Sequence, residues 1–228
     1  MEETRALVLF GDVVRSGRDR VEAAAWLRDL VATLDEAYGE LRLAPFDFTQ
    51  GDELQGLLTP DADPLVAVLR AALGPGARQV RWVCVWGGVD PGQGPATQRT
   101  GQAFLAAREA IEGARQARER LVILTGNPGA DALLGGMAPA LVDLLDGLTE
   151  HQRLVARLAL LDGLRQAEVA ERLGIRRATT SVAFGRARVN SIGRLSAAIR
   201  RTCEAASAAE ADAASHPDGG DAATEINS

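Results

Sequence analysis

The stretch ALVLFGD, residues 6–12, is a continuous apolar run stopped by Gly-Asp. A run of that kind reads as a buried strand. The period then changes. Leu27, Leu30, Val31, Leu34 and Tyr38 recur at helical spacing, so residues 21–38 predict an amphipathic helix, with Asp19 able to cap it. Pro45 interrupts the chain. FDFTQ and ELQGLL read as two short strands around Gly51-Asp52, a hairpin candidate. Residues 64–73 predict a short helix closed by GPG. The alternating, β-branched and aromatic VRWVCVWGG at 80–88 predicts a strand. After a Gly/Pro/Gln loop, Ala103, Ala107, Ala110, Ile111 and Ala114 make a helix face over about 101–118. RLVILTG at 120–126 reads as a strand and 131–145 as a helix. The order β-α-β-β-α-β, then α-β-α, implies an α+β class with a ferredoxin-like split sheet. In that arrangement the first strand runs antiparallel to the third, which brings Asp12 and Asp52 to one sheet edge.

Charge is distributed unevenly. The net −6 divides into −7 for residues 1–149, +7 for 150–201 and −6 for 202–228. Every basic residue is Arg, so Arg usage by itself says nothing about phosphate. A basic block of about fifty residues between acidic neighbours points to a polyanionic partner. The only histidines are His151 and His216, which leaves the N-terminal region without a His-based zinc site or a Ser-His-Asp triad. Cys84 and Cys203 have no metal-ligand spacing and are expected to be reduced thiols. The acidic N-terminus does not resemble a signal peptide, and no apolar run reaches membrane-spanning length. The expectation is a cytoplasmic protein with no membrane partner.

Asp12 and Asp52, each preceded by glycine, are a plausible cage for Mg²⁺ or Mn²⁺, hard cations that take oxygen ligands and leave positions open for phosphate. Gly11 and Gly51 would let backbone approach a nucleotide. Arg15 and Ser16 lie in the loop VVRSGR, whose N–H groups could cradle its phosphates. Gly-Asp also suits ordinary turns and caps, so the spacing leaves both readings open. The blocks LFGDVVRS, FTQGDELQGLL, RWVCVWGGVDPG and RTGQAFLAAREAIEGAR resemble the SatD family and, through it, the palm-type domain of class III nucleotide cyclases, over about residues 5–127. The resemblance implies metal binding at the positions of Asp12 and Asp52. It also exposes departures. Where those cyclases carry Asp, Asn and Arg after the fourth strand, this chain has Gln102, Leu105 and Glu109. Neither Leu nor Glu can donate to a developing phosphate charge. Arg108 and Arg99 are the nearest substitutes. The expectation is a domain that binds a nucleotide and metal without catalysis, with no catalytic residue assigned. Trp82 to Trp86 read as two faces of a buried strand, Glu53 as a solvated hairpin tip, and Arg108, Glu109, Glu112 and Arg115 as a charged helix face.

Residues 148–201 carry the strongest motif. Thr149 can cap a helix with Val155, Leu158 and Leu161 on its apolar face, ended by Gly163. Residues 166–173 read as a second helix, LGI as a turn and Arg177 onward as a third helix. Ala170 is small enough for a close helix crossing, Gly174 supplies a positive φ, and Ile175 plugs the core. This pattern is a helix-turn-helix, and over about fifty residues it resembles sigma-factor region 4 and LuxR-type modules. Arg176, Arg177, Thr179, Thr180 and Ser181 then lie where such helices meet base edges, and Arg186 and Arg188 where they meet phosphates. In that family an apolar residue is more usual at the position of Thr180. A helical dimerisation bundle is the competing reading. The tail from residue 205 has almost no large apolar residue and reads as disordered. The resulting division is a cyclase-like palm domain (1–146), a helix-turn-helix domain (147–203) and an acidic tail (204–228). The chain reads as a homodimeric, DNA-binding transcriptional regulator that senses a nucleotide with a divalent metal. The alternative is a metal-dependent nucleotidyl cyclase or other nucleoside-triphosphate-processing enzyme that the helix-turn-helix targets or regulates.

Overall fold

The computed structural model describes residues 4–14, 20–49 and 53–215. Gly51, Asp52, Arg15 and Ser16 lie outside them. The elements run β1 (Thr4–Val13), α1 (Arg20–Tyr38), β2 (Arg42–Phe48), β3 (Glu53–Leu58), α2 (Leu65–Leu73), β4 (Val80–Val89), α3 (Gln102–Ala117), β5 (Leu121–Leu124) and α4 (Pro128–Asp146). Four further helices follow: α5 (Glu150–Leu160), α6 (Gln166–Leu173), α7 (Arg177–Arg186) and α8 (Val189–Ser215).

The five strands form one mixed sheet in the order β2-β3-β1-β4-β5. β1 is central and antiparallel to both β3 and β4; β5 adds parallel to β4. The first four strands have the split order expected from the sequence. The apolar run of β1 is buried on both faces, because helices cover both. Leu7 and Leu9 face α1, α2 and α4, while Val8 and Phe10 face α3, where Phe10 meets Phe104 edge to face at 6.1 Å. Trp82, Cys84 and Trp86 likewise point to one side of β4, and Val83 and Val85 to the other.

Pro45 does not end a strand. It lies within β2, an edge strand whose register slips between Ala44 and Asp47. An edge position tolerates proline because the missing N–H has no ladder partner to satisfy. The register shift carries Phe46 onto Gly56 of β3. A Cβ at Gly56 would lie 2.1 Å from the Phe46 ring, and that ring stacks on Tyr38 at 5.6 Å.

The helices beyond Gly147 are not a separate bead. Val155, Val169, Phe184, Ile192 and Ile199 share one continuous core with the α1/α2 side of the sheet. Thr149 starts α5 with a capping box to Gln152. α8 folds back along α4, and its side chains Cys203 and Ala206 are buried. The expected disordered tail therefore begins as helix through Ser215; Ala and Glu support a helix once one face has something to pack on. The rest of that expectation falls on residues 216–228, outside the described ones.

Candidate functional site

Antiparallel β1 and β3 place Asp12 directly opposite Glu53, the residue after Asp52. On its other side Asp12 pairs in register with Arg81 of β4. The Asp12 carboxylate is buried, with 8% of its side chain exposed. Its Oδ2 accepts from Arg81 Nη1 at 2.7 Å and from Arg115 Nε at 3.1 Å. Arg115 reaches across from α3 and also pairs with Glu112 and, at 3.8 Å, with Glu53. Glu53 in turn accepts from Gln55 Nε2 at 2.9 Å. The hydrogen bond to Asp12 is the main reason the Arg115 guanidinium is held above its ordinary range, with the surrounding carboxylates adding to it against partial burial.

A divalent cation takes free carboxylate oxygens; Asp12 Oδ2 is shared by two guanidiniums, and Asp52, the other expected ligand, lies outside the described residues. Among the described residues no group of three or more acidic, His or Cys side chains could hold a metal. Gly11 also has a local reason to be glycine. A Cβ there would lie 2.8 Å from the Trp82 ring. Leu105 lies about 15 Å along α3 from Arg115 at 1.5 Å per residue. Arg115 was expected only as part of a charged helix face, and Arg81 carried no expectation. An arginine inside the otherwise apolar run of β4 was the available signal for Arg81.

The second candidate surface is α7. Gly174 ends α6 at φ +64°, Ile175 N donates to Ala170 O at 3.0 Å, and α7 begins two residues later. Ala170 is buried as expected, whereas Ile175 is only half-buried and Phe184 fills the space between helices. Thr180, Phe184 and Ala187 form the inner face of α7. Thr180 is thus corrected from a base-contacting residue to a core one. It is fully buried, and its hydroxyl donates to Arg176 O at 3.2 Å, which lets a polar side chain stand at an apolar position.

Arg176, Arg177, Thr179, Ser181 and Arg186 are exposed. Arg176, Arg177 and Arg186 have no ion-pair partner among the described residues. At 100° per residue the centre of the outward face falls on Ala178, Val182 and Gly185. Val182 is 54% exposed and was missed because the sequence reading followed charge. Arg188 is exposed and sits at φ +53° in the corner between α7 and α8, accepting from Ile192 N at 3.0 Å. Its strained backbone sets the turn into α8.

Among the described residues no helix is long and apolar enough to cross a membrane. No family model and no curated protein matches the chain. Among solved structures, one of a bacterial light-regulated adenylyl cyclase is similar at 15% identity and TM-score 0.41, over 54% of this chain and 77% of the other. Another with the same description aligns at 15% identity and TM-score 0.37, over 54% and 44%.

Proposed function

We propose that the chain is a DNA-binding regulator in which α6, the Gly174 turn and α7 act as a helix-turn-helix, with α7 entering the major groove. The observation that carries this is the outward face of α7. It combines unpaired Arg176, Arg177 and Arg186 with small and apolar Ala178 and Val182, inside a segment of net charge +7. Arginine can pair bidentately with guanine O6 and N7, and an apolar side chain can pack on a thymine methyl. A two-fold dimer would set two such helices about 34 Å apart along one side of the duplex.

In this reading the α/β domain has the cyclase-like palm arrangement that its SatD-like blocks imply, without cyclase chemistry. A metal-dependent enzyme is the weaker reading, because Arg81 and Arg115 already share the Asp12 Oδ2 and Gln102, Leu105 and Glu109 stand where the cyclases carry Asp, Asn and Arg. ATP or GTP with Mn²⁺ is expected to show no turnover. Turnover that Asp12→Ala abolishes would reverse that ordering. The test of DNA binding is fluorescence anisotropy on selected genomic fragments at moderate salt. Arg176→Ala with Arg177→Ala is expected to weaken specific binding by about 2–5 kcal/mol if both contact bases and to flatten the salt dependence if they contact phosphate. Unchanged affinity and salt slope would remove α7 from the interface.

A further inference from the structure

An open cleft of about 850 Å³ lies between the α2–β4 turn and the start of α5. The turn residues Gly74–Ala77 form one wall, and Arg78 stands at its end. The opposite wall is α5, which presents Arg153 and Arg157. The cleft therefore straddles the joint between the sheet domain and the basic helices, away from both Asp12 and α7.

Its charge is not internally balanced. Among the described residues, Arg153 and Arg157 have no carboxylate within 4.0 Å, and Arg78 has only the exposed Glu22 at 3.4 Å. Glu150 is the one acidic residue in the lining, beside His151. Arg153 Nε is buried and has no hydrogen-bond partner. A buried guanidinium N–H without an acceptor is unfavourable, and a bound anion would remove the penalty. Arg153 also borders a narrow recess of about 30 Å³ next to Trp82, so it lies between that recess and the cleft. That recess has room for little more than a water; the open cleft is in the size range of small-molecule sites.

We propose that this cleft binds a compact polyanion carrying two or more phosphates, such as a nucleoside polyphosphate, held by Arg78 on one wall and Arg153 and Arg157 on the other. Guanidinium forks match phosphate oxygens in pairs. Three of them around one cavity suit a di- or triphosphate better than a single phosphate. A ligand held from both walls favours the arrangement that brings them together, and so ties the sheet domain to the helices that carry α7. No metal is needed, and the inference does not depend on DNA binding.

The experiment is isothermal titration of the full chain, in EDTA and without DNA, with inorganic pyrophosphate and with ATP. Wild type is expected to bind at least one saturably, with Kd below about 1 mM. Arg153→Gln with Arg157→Gln should weaken that binding at least tenfold, whereas Arg176→Ala with Arg177→Ala should leave it unchanged. Circular dichroism checks that each variant is folded. If the double Gln variant is not, the single Arg157→Gln and the charge-conserving Arg153→Lys carry the test, with a loss of at least threefold expected from each. Absence of saturable binding by wild type overturns the proposal, as does unchanged affinity in the folded variants. Loss of DNA affinity in the Gln variants, with no phosphate compound bound by wild type, would make the cleft a DNA-backbone surface and would also overturn it.

Discussion

Asp12 holds two guanidiniums through one oxygen, and that arrangement dictates what its removal does. Asp12→Ala leaves the largely buried Arg81 without its carboxylate, while Arg115 keeps Glu112 and Glu53. Breaking a buried pair by removing one partner is strongly unfavourable, so a loss of about 3 kcal/mol in urea unfolding is expected. Arg115→Ala, on the more exposed arm, should cost less. The thiols behave differently. Burial pushes Cys84 well above its ordinary value and Cys203 to about 12, and burial likewise raises Tyr38. Unfolded chains release these protons near pH 9–10 and the folded chain keeps them, so this stabilisation is complete below that range and is lost progressively as pH rises from it through the folded values, about 12 for Cys203. The unfolding temperature should fall between pH 9 and 11, and neither cysteine should react with an alkylating reagent at pH 8 until the chain unfolds. At this scale Asp12 is legible in the sequence and its company is not. Asp12 could be placed because an antiparallel neighbour strand follows from element order. Arg81 and Arg115 could not, since they meet it only through the β1–β4 register and the face α3 turns inward.

The strands and helices were more legible than their functions. β3, α6 and the start of α7 fall where period and turn chemistry put them: β3 is a short apolar run buried on both faces from Leu54 to Leu58, and α6 turns Val169 and Ala170 inward. β2 was misjudged at Pro45, since edge position and bulge are properties of a sheet and not of a local segment. The direction of α7 was half legible. Charge marked its N-terminal end, but only the inward Thr180, Phe184 and Ala187 reveal that Val182 stands at the outward centre. Val182→Ala should therefore relax a thymine preference in selected sites while leaving stability within about 0.5 kcal/mol. Gly174→Ala should do the reverse. A Cβ at φ +64° costs about 1–2 kcal/mol, and melting temperature should report it.

At the scale of the whole molecule, the apolar core crosses the boundary that the charge blocks draw. Those blocks suggested separable modules, yet a single apolar core runs from α1 to α8. Asp63, just before α2, accepts from Arg200 Nε of α8 at 2.6 Å and from Leu65 N at 2.9 Å, while Arg5 of β1 pairs with Glu210 near the far end of α8. A chain truncated after Arg201 loses the burial of Cys203 and Ala206 and the Arg5–Glu210 pair. Its stability should fall by about 2–4 kcal/mol. Full-length protein should unfold in one calorimetric transition; two resolved transitions would contradict the shared core.

α8 spans 27 residues, about 40 Å of continuous helix. One end joins α7 through the Arg188 corner, and the other lies on α4 and against β1. It is therefore a lever whose short arm is anchored in the sheet domain. A tilt of about 5° at that anchor displaces the α7 end by roughly 3–4 Å over this length, comparable to the rise of one base pair.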